Sequence, residues 1–368
     1  MNKVPDVPSV LRKTPYVLIT GGAGFIGANL ADRLARRGRQ VLLFDCLARE
    51  HVADNIEWLR GRHGARIASE MADVRDFDSV RQAVRGAAQV YHLAAQVAVT
   101  SSIADPFVDF EVNARGTLNV LEAIRARPDP PPLVFTSTNK VYGAACSPED
   151  LREEARRLRA VTPDLARGFN EAQPLDLQSP YGCSKGAADQ YVLDYARVFS
   201  IPSVVFRMSC IYGPRQFGTE DQGWVAHFLR SALEGKPITI YGTGRQVRDV
   251  LFVRDLVDAL LAAEAHTPSI RGRAFNIGGG PQNAVSLLEV LDLIEQVVGP
   301  LPPITFAEER PADQPYYVSD TSSFVAATGW RPRIGIEEGI QELAEWLREW
   351  TAQRQAGSEQ ERSACASL

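Results

Sequence analysis

Tyr181 and Lys185 stand four residues apart, so a helix would carry both on one face. An ammonium beside a phenol stabilises the phenolate and brings its pKa towards the working range, as an acid/base for an alcohol requires. Taken alone the spacing is common, and a solvent-facing pair would explain it as well. A second constellation suggests a different task. The run Thr20-Gly-Gly-Ala-Gly-Phe-Ile-Gly27 places glycines at 21, 24 and 27. Glycine lets a backbone turn tightly and approach a pyrophosphate, and the helix start that follows offers free N–H groups; an ordinary tight turn is the plain alternative. Asp45 lies 18 residues past Gly27. A carboxylate there would accept both ribose hydroxyls and repel a 2′-phosphate, which favours NAD over NADP. It could instead cap the next turn, and Arg49 nearby blurs the choice.

These residues need a scaffold, and the hydropathy pattern supplies one. Short apolar runs at 16–20, 41–44, 67–72, 90–94, 133–136 and 203–207 suit buried strands. Helical spacing at 25–37, 77–84, 110–126 and 181–199 falls between them. Strand and helix alternation predicts an α/β fold, a Rossmann-type doubly wound parallel sheet, with a smaller α+β substrate-binding lobe. The expected boundaries are a flexible arm over 1–14 and an NAD-binding domain over 15–207, the latter carrying an inserted helical segment and loop at 144–178. Residues 208–350 would form mainly the substrate lobe, with 248–280 returning to the Rossmann domain. The polar residues 351–368 read as a disordered tail. Tyr181 would then open the helix before the sixth strand, and the run 136–143 would end the fifth.

Composition narrows the options. A net charge of −5 over 368 residues argues against a nucleic-acid binder. The five cysteines, at 46, 146, 183, 210 and 365, form no CxxC or Cys/His cluster, so neither a metal site nor a disulfide framework is expected. The first residues lack the apolar core of a signal peptide, and no run of 18 apolar residues occurs, which predicts a soluble, cytoplasmic protein without a membrane partner.

Five motifs occur in order: the TGGAGFIG loop, HLAA at 92–95, TST-x-x-VYG at 136–143, SPYGCSK at 179–185, and Arg248-Asp249. Together they resemble the extended short-chain dehydrogenase/reductases, over roughly residues 16–350. That family contains nucleotide-sugar epimerases, dehydratases and decarboxylases. The resemblance implies that Thr138 hydrogen-bonds the reacting hydroxyl and that Tyr181 is the acid/base. Lys185 would be the electrostatic partner of Tyr181 and a ligand of the nicotinamide ribose. Phe25, Ile26, Ala94, Ala95 and Gln96 would join the glycines along the cofactor, Asp73 and Val74 would lie near the adenine, and Asn113 would support the site. His92 reads as structural.

Dehydratases of the family carry Asp-Glu directly after the threonine, where this chain has Asn139 and Lys140, so dehydration ranks low. Common 4-epimerases usually have Asn where Ser209 stands. The runs 137–143, 179–191, 213–224, 244–250 and 275–279 are similar to those of CDP-hexose 2-epimerases of the paratose-to-tyvelose type. Pro214, Gly218 and residues 144–168 depart from that pattern. The implied chemistry is transient oxidation at C2 of a nucleotide-diphosphate sugar, a CDP-hexose, followed by hydride return, with NAD tightly bound and recycled. Arg215, Arg248 and Arg310 are candidates for the diphosphate, because guanidinium forks match phosphate oxygens. Gln216, Asp221, Gln222 and Trp224 could read sugar hydroxyls or contact the cofactor, with Trp224 equally fit for the core. Asn139, Lys140 and Ser209 would face the hexose, unless Lys140 pairs with the 144–178 segment instead. A 4-epimerase, a net reductase or a catalytically silent NAD-sensing scaffold remain alternatives. Relatives pair the helices near 110–126 and 181–199, which implies a homodimer or homotetramer.

Overall fold

The computed structural model describes residues 14–366; the arm expected over 1–14 lies outside them except for Thr14. The first apolar run forms β1 (Tyr16–Thr20), buried at every position. α1 (Phe25–Arg36) follows and buries Leu30, Ala31, Leu34 and Ala35 on one face. The alternation continues through β2 (Val41–Asp45), α2 (Val52–His63), β3 (Ile67–Met71), α3 (Phe77–Val84) and β4 (Ala87–His92). The helix expected at 110–126 is composite. After α4 (Val99–Ala104), α5 (Pro106–Phe110) passes through a π-helical turn at Glu111–Arg115 into α6 (Gly116–Arg125), and the wide turn buries Asn113. Next comes β5 (Leu133–Thr138).

The inserted segment is not mainly helical. It forms the hairpin β6 (Leu151–Glu153) and β7 (Leu158–Ala160), then the short α7 (Pro163–Arg167). Its charged residues favour a helix, but Leu151, Leu158 and Leu165 pack against a buried patch that includes Tyr316, Tyr317 and Val318. The Leu158 N–H also donates to the Arg245 carbonyl at 2.8 Å. Tertiary packing has overridden local propensity.

α8 (Ser179–Val198), β8 (Ser203–Met208), β9 (Cys210–Tyr212), α9 (Trp224–Leu233), β10 (Ile238–Tyr241) and β11 (Val247–Phe252) follow in order. The chain ends through α10 (Val253–Ile270), β12 (Arg273–Ile277), β13 (Ala284–Ser286), α11 (Leu287–Val298), β14 (Ile304–Ala307), β15 (Tyr316–Tyr317), α12 (Ser322–Thr328) and α13 (Ile336–Ala366). Seven parallel strands make the main sheet in the order β3-β2-β1-β4-β5-β8-β12. The order reverses between β1 and β4, and the carboxyl ends there open a crevice where α/β sheets bind ligands. β11 lies in a second sheet, flanked by β13 and β15 and also paired with β9. The return to the main sheet therefore begins with α10 rather than at residue 248. Residues 351–366, expected to be disordered, continue α13. Their Ala, Gln, Glu and Arg are strong helix formers, and extending an already nucleated helix costs little. Among the described residues no helix is long and apolar enough to cross a membrane.

Candidate active site

The crevice at the β1/β4 reversal holds a cavity of about 200 Å³. Its wall includes Gly21, Gly24, Phe25, Ile26, Gly27, Asp45, Asp73, Val74, Ala94 and Ala95, all expected there. The glycines are sterically required. Gly21 has φ 68°, and a Cβ on it would lie 2.8 Å from the Ala94 nitrogen; one on Gly27 would lie 2.4 Å from the Gly21 carbonyl oxygen. Asp45 accepts hydrogen bonds from the N–H groups of Ala23 (3.0 Å) and Leu47 (2.9 Å). Burial raises its carboxyl pKa despite those bonds. Gln96 and Asn113 do not reach this wall. They staple each other instead: Gln96 N donates to Asn113 Oδ1 at 2.9 Å, and Asn113 Nδ2 donates to the Gln96 carbonyl at 3.0 Å and to Ser184 Oγ at 3.0 Å.

Thr138 ends β5, and Tyr181 stands in the first turn of α8, so sheet and helix bring them together. Burial pushes the phenol pKa up to about 12, with the Thr138 hydroxyl pulling the other way. Lys185, one turn on, is 2% exposed, and burial pulls its pKa down to about 7. Its ammonium donates to the Thr136 carbonyl at 2.7 Å and sits 4.3 Å from the centroid of the Phe135 ring. The expected lowering of the phenol pKa by Lys185 is thus not what this geometry shows, because burial dominates and the ammonium is turned to the strand. His92 is fully buried between two hydroxyls: Thr20 lies 2.6 Å from Nδ1 and Thr117 lies 3.0 Å from Nε2. Thr117 gives its proton to the Asn113 carbonyl, so it must accept from Nε2–H, and Nδ1 accepts from Thr20. Burial brings the imidazole pKa down to about 3, so it stays neutral.

A second cavity, of about 370 Å³, shares Phe25, Ile26, Val97 and Gln222 with the first. Thr138 and Tyr181 line it, as do Asn139, Lys140, Ser209, Gln216, Asp221, Gln222, Arg248 and Arg310. Ser209 donates its hydroxyl proton to Asp249, whose Oδ1 is 2.5 Å away, so the serine is engaged behind the wall. Arg310 pairs with Asp221 at 3.2 Å and lies 3.9 Å from the Tyr241 ring centroid. Trp224 lines the same cavity. Arg215 does not reach it: its guanidinium stacks on Trp58, 3.9 Å from the centroid, on the far side of its loop. The residue that sequence reasoning missed is Asp313, which accepts from Arg248 at 2.7 Å and Lys140 at 3.3 Å. Its position three residues after Arg310 was the available signal. Among the described residues no group of three His, Cys, Asp or Glu side chains is placed to hold a metal ion.

Residues 17–278 match the NAD dependent epimerase/dehydratase family. The chain belongs to that family. CDP-paratose 2-epimerase of Salmonella typhi is 42% identical over 337 residues, spanning 90% of this chain and 98% of that protein. A dTDP-glucose 4,6-dehydratase of Neisseria gonorrhoeae is 32% identical over 364 residues, spanning 92% and 97%. UDP-glucose 4-epimerase of Thermus thermophilus, solved in complex with NAD, superposes with a TM-score of 0.75 at 32% identity, covering 90% of this chain and 99% of that one.

The cofactor of this epimerase/dehydratase-family enzyme is NAD, and the first cavity fits it. The space that a Cβ at Gly21 or Gly27 would fill lies where the strand-to-helix turn presents its amides. A carboxylate at the end of β2 and an apolar floor of Ile26, Val74 and Val112 complete a dinucleotide cleft. The second cavity adjoins this cleft through Phe25, Ile26, Val97 and Gln222, with Tyr181 on its own wall.

Proposed function

We propose that this NAD-dependent nucleotide-sugar epimerase inverts C2 of a CDP-hexose, as a CDP-paratose 2-epimerase does. The observation that carries the reading is the 42% identity to the Salmonella typhi enzyme across 98% of its length. The geometry supports inversion over elimination. The two positions directly after Thr138 are Asn139 and Lys140, neither of them acidic, and the carboxylate beside them, Asp313, is held below the usual range because Arg248 and Lys140 outweigh its burial. It stays ionised and cannot serve as the acid that dehydration needs.

In this reading Gly21, Gly24, Gly27, Phe25 and Ile26 hold the pyrophosphate of NAD, Asp45 its adenosine ribose, and Asp73 and Val74 flank the adenine. Ala94 and Ala95 line the rest of the cleft, and Asn113 supports it from behind. A C2–H beside an alcohol is not acidic, so inversion requires removal and return of a hydride rather than a proton. NAD, when bound, supplies that hydride acceptor and donor. Tyr181 would act as the phenolate and take the proton of the C2 hydroxyl as the hydride leaves. Now a phenol, it would give the proton back when hydride returns to the opposite face of C2, while the Thr138 hydroxyl fixes the reacting oxygen. Lys185 stabilises that phenolate once it turns from Thr136. Arg248 and Arg310 provide the cations for the diphosphate, and Asn139, Lys140, Gln216 and Gln222 surround the hexose. We further infer a homodimer or homotetramer, and a reducing, cytoplasmic setting that suits the free thiols of Cys46, Cys146, Cys183 and Cys210.

The test is turnover of CDP-paratose in D₂O followed by NMR, with CDP-glucose and UDP-glucose alongside. The expected product is the C2 epimer without solvent deuterium at C2 and without net NADH change. Deuterium at C2 would sink the hydride route. Inversion at C4 of UDP-glucose alone would make it a 4-epimerase, and NAD binding without any turnover would make it a sensor.

A further inference from the structure

The loop between β9 and α9, residues 213–223, roofs both cavities, and two of its side chains face away from them. Gln216 points inward, buried on the sugar-side wall with its Nε2 donating to the Ile211 carbonyl at 3.1 Å. Gln222 touches both cavities. Arg215 has φ 72°, a left-handed backbone that a non-glycine residue keeps only when its surroundings hold it there. What holds it is aromatic. The guanidinium carbon lies 3.9 Å from the ring centroid of Trp58, on α2 beside the cofactor cleft, and 5.8 Å from that of Trp346, on α13 of the smaller lobe. Phe217 enters the same seam, with ring centroids 5.7 Å from Trp346 and 5.3 Å from Trp350.

Among the described residues no ion pair accounts for this arginine. Asp32, the carboxylate that acts on it most strongly, is engaged by Arg36, Arg62 and His63. A guanidinium is planar and weakly hydrated, so it bridges two rings more readily than an ammonium, which keeps only part of the attraction, and an aliphatic chain has none of it. The loop's start is tied separately, by Asn29 Nδ2 of α1 donating to the Pro214 carbonyl at 2.9 Å. We propose that Arg215 is a positioning residue, a latch between Trp58 and Trp346 that holds loop 213–223 across the two lobes and so sets the affinity for the nucleotide sugar. This rests on the substrate reading above, since the roofed cavity is the one assigned to the sugar.

Arg215→Met removes the charge at similar length, and Trp58→Leu removes one ring from the opposite side; neither side chain lines either cavity. Calorimetric titration of NAD-loaded protein with CDP, UDP and dTDP first identifies the diphosphate that wild type binds. Each variant should weaken that binding and raise KM by about tenfold, the scale of a partly desolvated cation–π contact. The value of kcat should stay within about threefold, the pH–rate profile should not move, and Arg215→Lys should recover part of the affinity. The double variant should be no worse than Arg215→Met, because that change already removes the guanidinium from both rings. Lower melting temperatures with unchanged KM would mean a merely structural role and overturn the latch. So would additive effects, or a KM shift from Arg215→Met alone. A wild type that prefers UDP overturns the CDP assignment while the latch is read on UDP; a wild type that binds none of the three overturns both.

Discussion

Tyr181, 8% exposed, lines the sugar-side cavity and Lys185, 2% exposed, stands one turn behind it, and burial moves both pKa values towards the neutral form. For Lys185 the consequence reaches stability. Its pKa falls from 10.5 to about 7 on folding, so between those values the unfolded chain binds more protons and stability rises with pH. Below pH 7 the full cost of the buried ammonium remains. Lys185→Met should therefore abolish most epimerisation yet raise stability by roughly 1–3 kcal/mol at pH 6. Urea melts at pH 6 and 10 would show that gain shrinking as pH rises; a gain that grew with pH would contradict the assignment. Glu70 carries the opposite sign. It is buried on β3 with neither carboxylate oxygen hydrogen-bonded, and burial, with Asp76 nearby, pushes its pKa up to about 7. Folded protein then binds the extra proton between pH 4.5 and 7, and stability is lost as pH rises through that window. Glu70→Gln should add roughly 1–3 kcal/mol at pH 8 and almost nothing at pH 4, read from the same melts.

At the scale of elements, α8 carries Tyr181 and Lys185, and one buried ion pair fixes where it lies. Arg207 of β8 donates to both carboxylate oxygens of Asp189, at 2.9 and 3.0 Å, and to the Tyr142 hydroxyl at 3.0 Å. Arg207→Met would leave that carboxylate buried and unpaired, a loss of about 3–5 kcal/mol. Thermal melts should show a large fall in Tm, and Asp189→Asn with Arg207→Met together should recover part of it. The alternation that places α8 was legible because parallel strands buried on both faces read as continuous apolar runs. The glycine loop, Asp45, Tyr181 and Lys185 could be picked out because their spacing is fixed by one strand–turn–helix or one helix turn, whereas Thr138 came from the family resemblance alone. What escaped depends on contacts distant in sequence. The β6–β7 hairpin takes its shape from a patch around Tyr317. Asn113 and Gln96 face each other because of a π turn that periodicity does not reveal. Arg215 has the right chemistry for a phosphate, and only the positions of Trp58 and Trp346 show where it is used.

At the scale of the molecule, the face behind the active site is unusually apolar for a surface. Phe107 is 83% exposed and Phe110 is 55% exposed on α5, and Tyr191 and Val198 of α8 and Phe199 just past it are also exposed. Large apolar side chains left exposed on packed helices are candidates for an association surface, and each phenylalanine buried there would contribute about 1.5–3 kcal/mol. The same elements hold the chemistry. Ser102 of α4 accepts from the Tyr181 N–H at 3.1 Å, Asp109 of α5 accepts from Ser184, and Asn113 leads into α6. Pairing two copies through α5 and α8 would therefore brace the helices that carry Tyr181 and Lys185. Wild type should run as a dimer or tetramer by size-exclusion chromatography with light scattering. Phe107→Glu with Phe110→Glu should run as a monomer that still retains NAD, because neither side chain lies near the first cavity. Its kcat should fall several-fold with KM nearly unchanged, since bracing acts on the helices behind the reacting groups and leaves the cavity walls in place. A monomer with full activity would separate assembly from catalysis, and an unchanged oligomer would move the interface elsewhere.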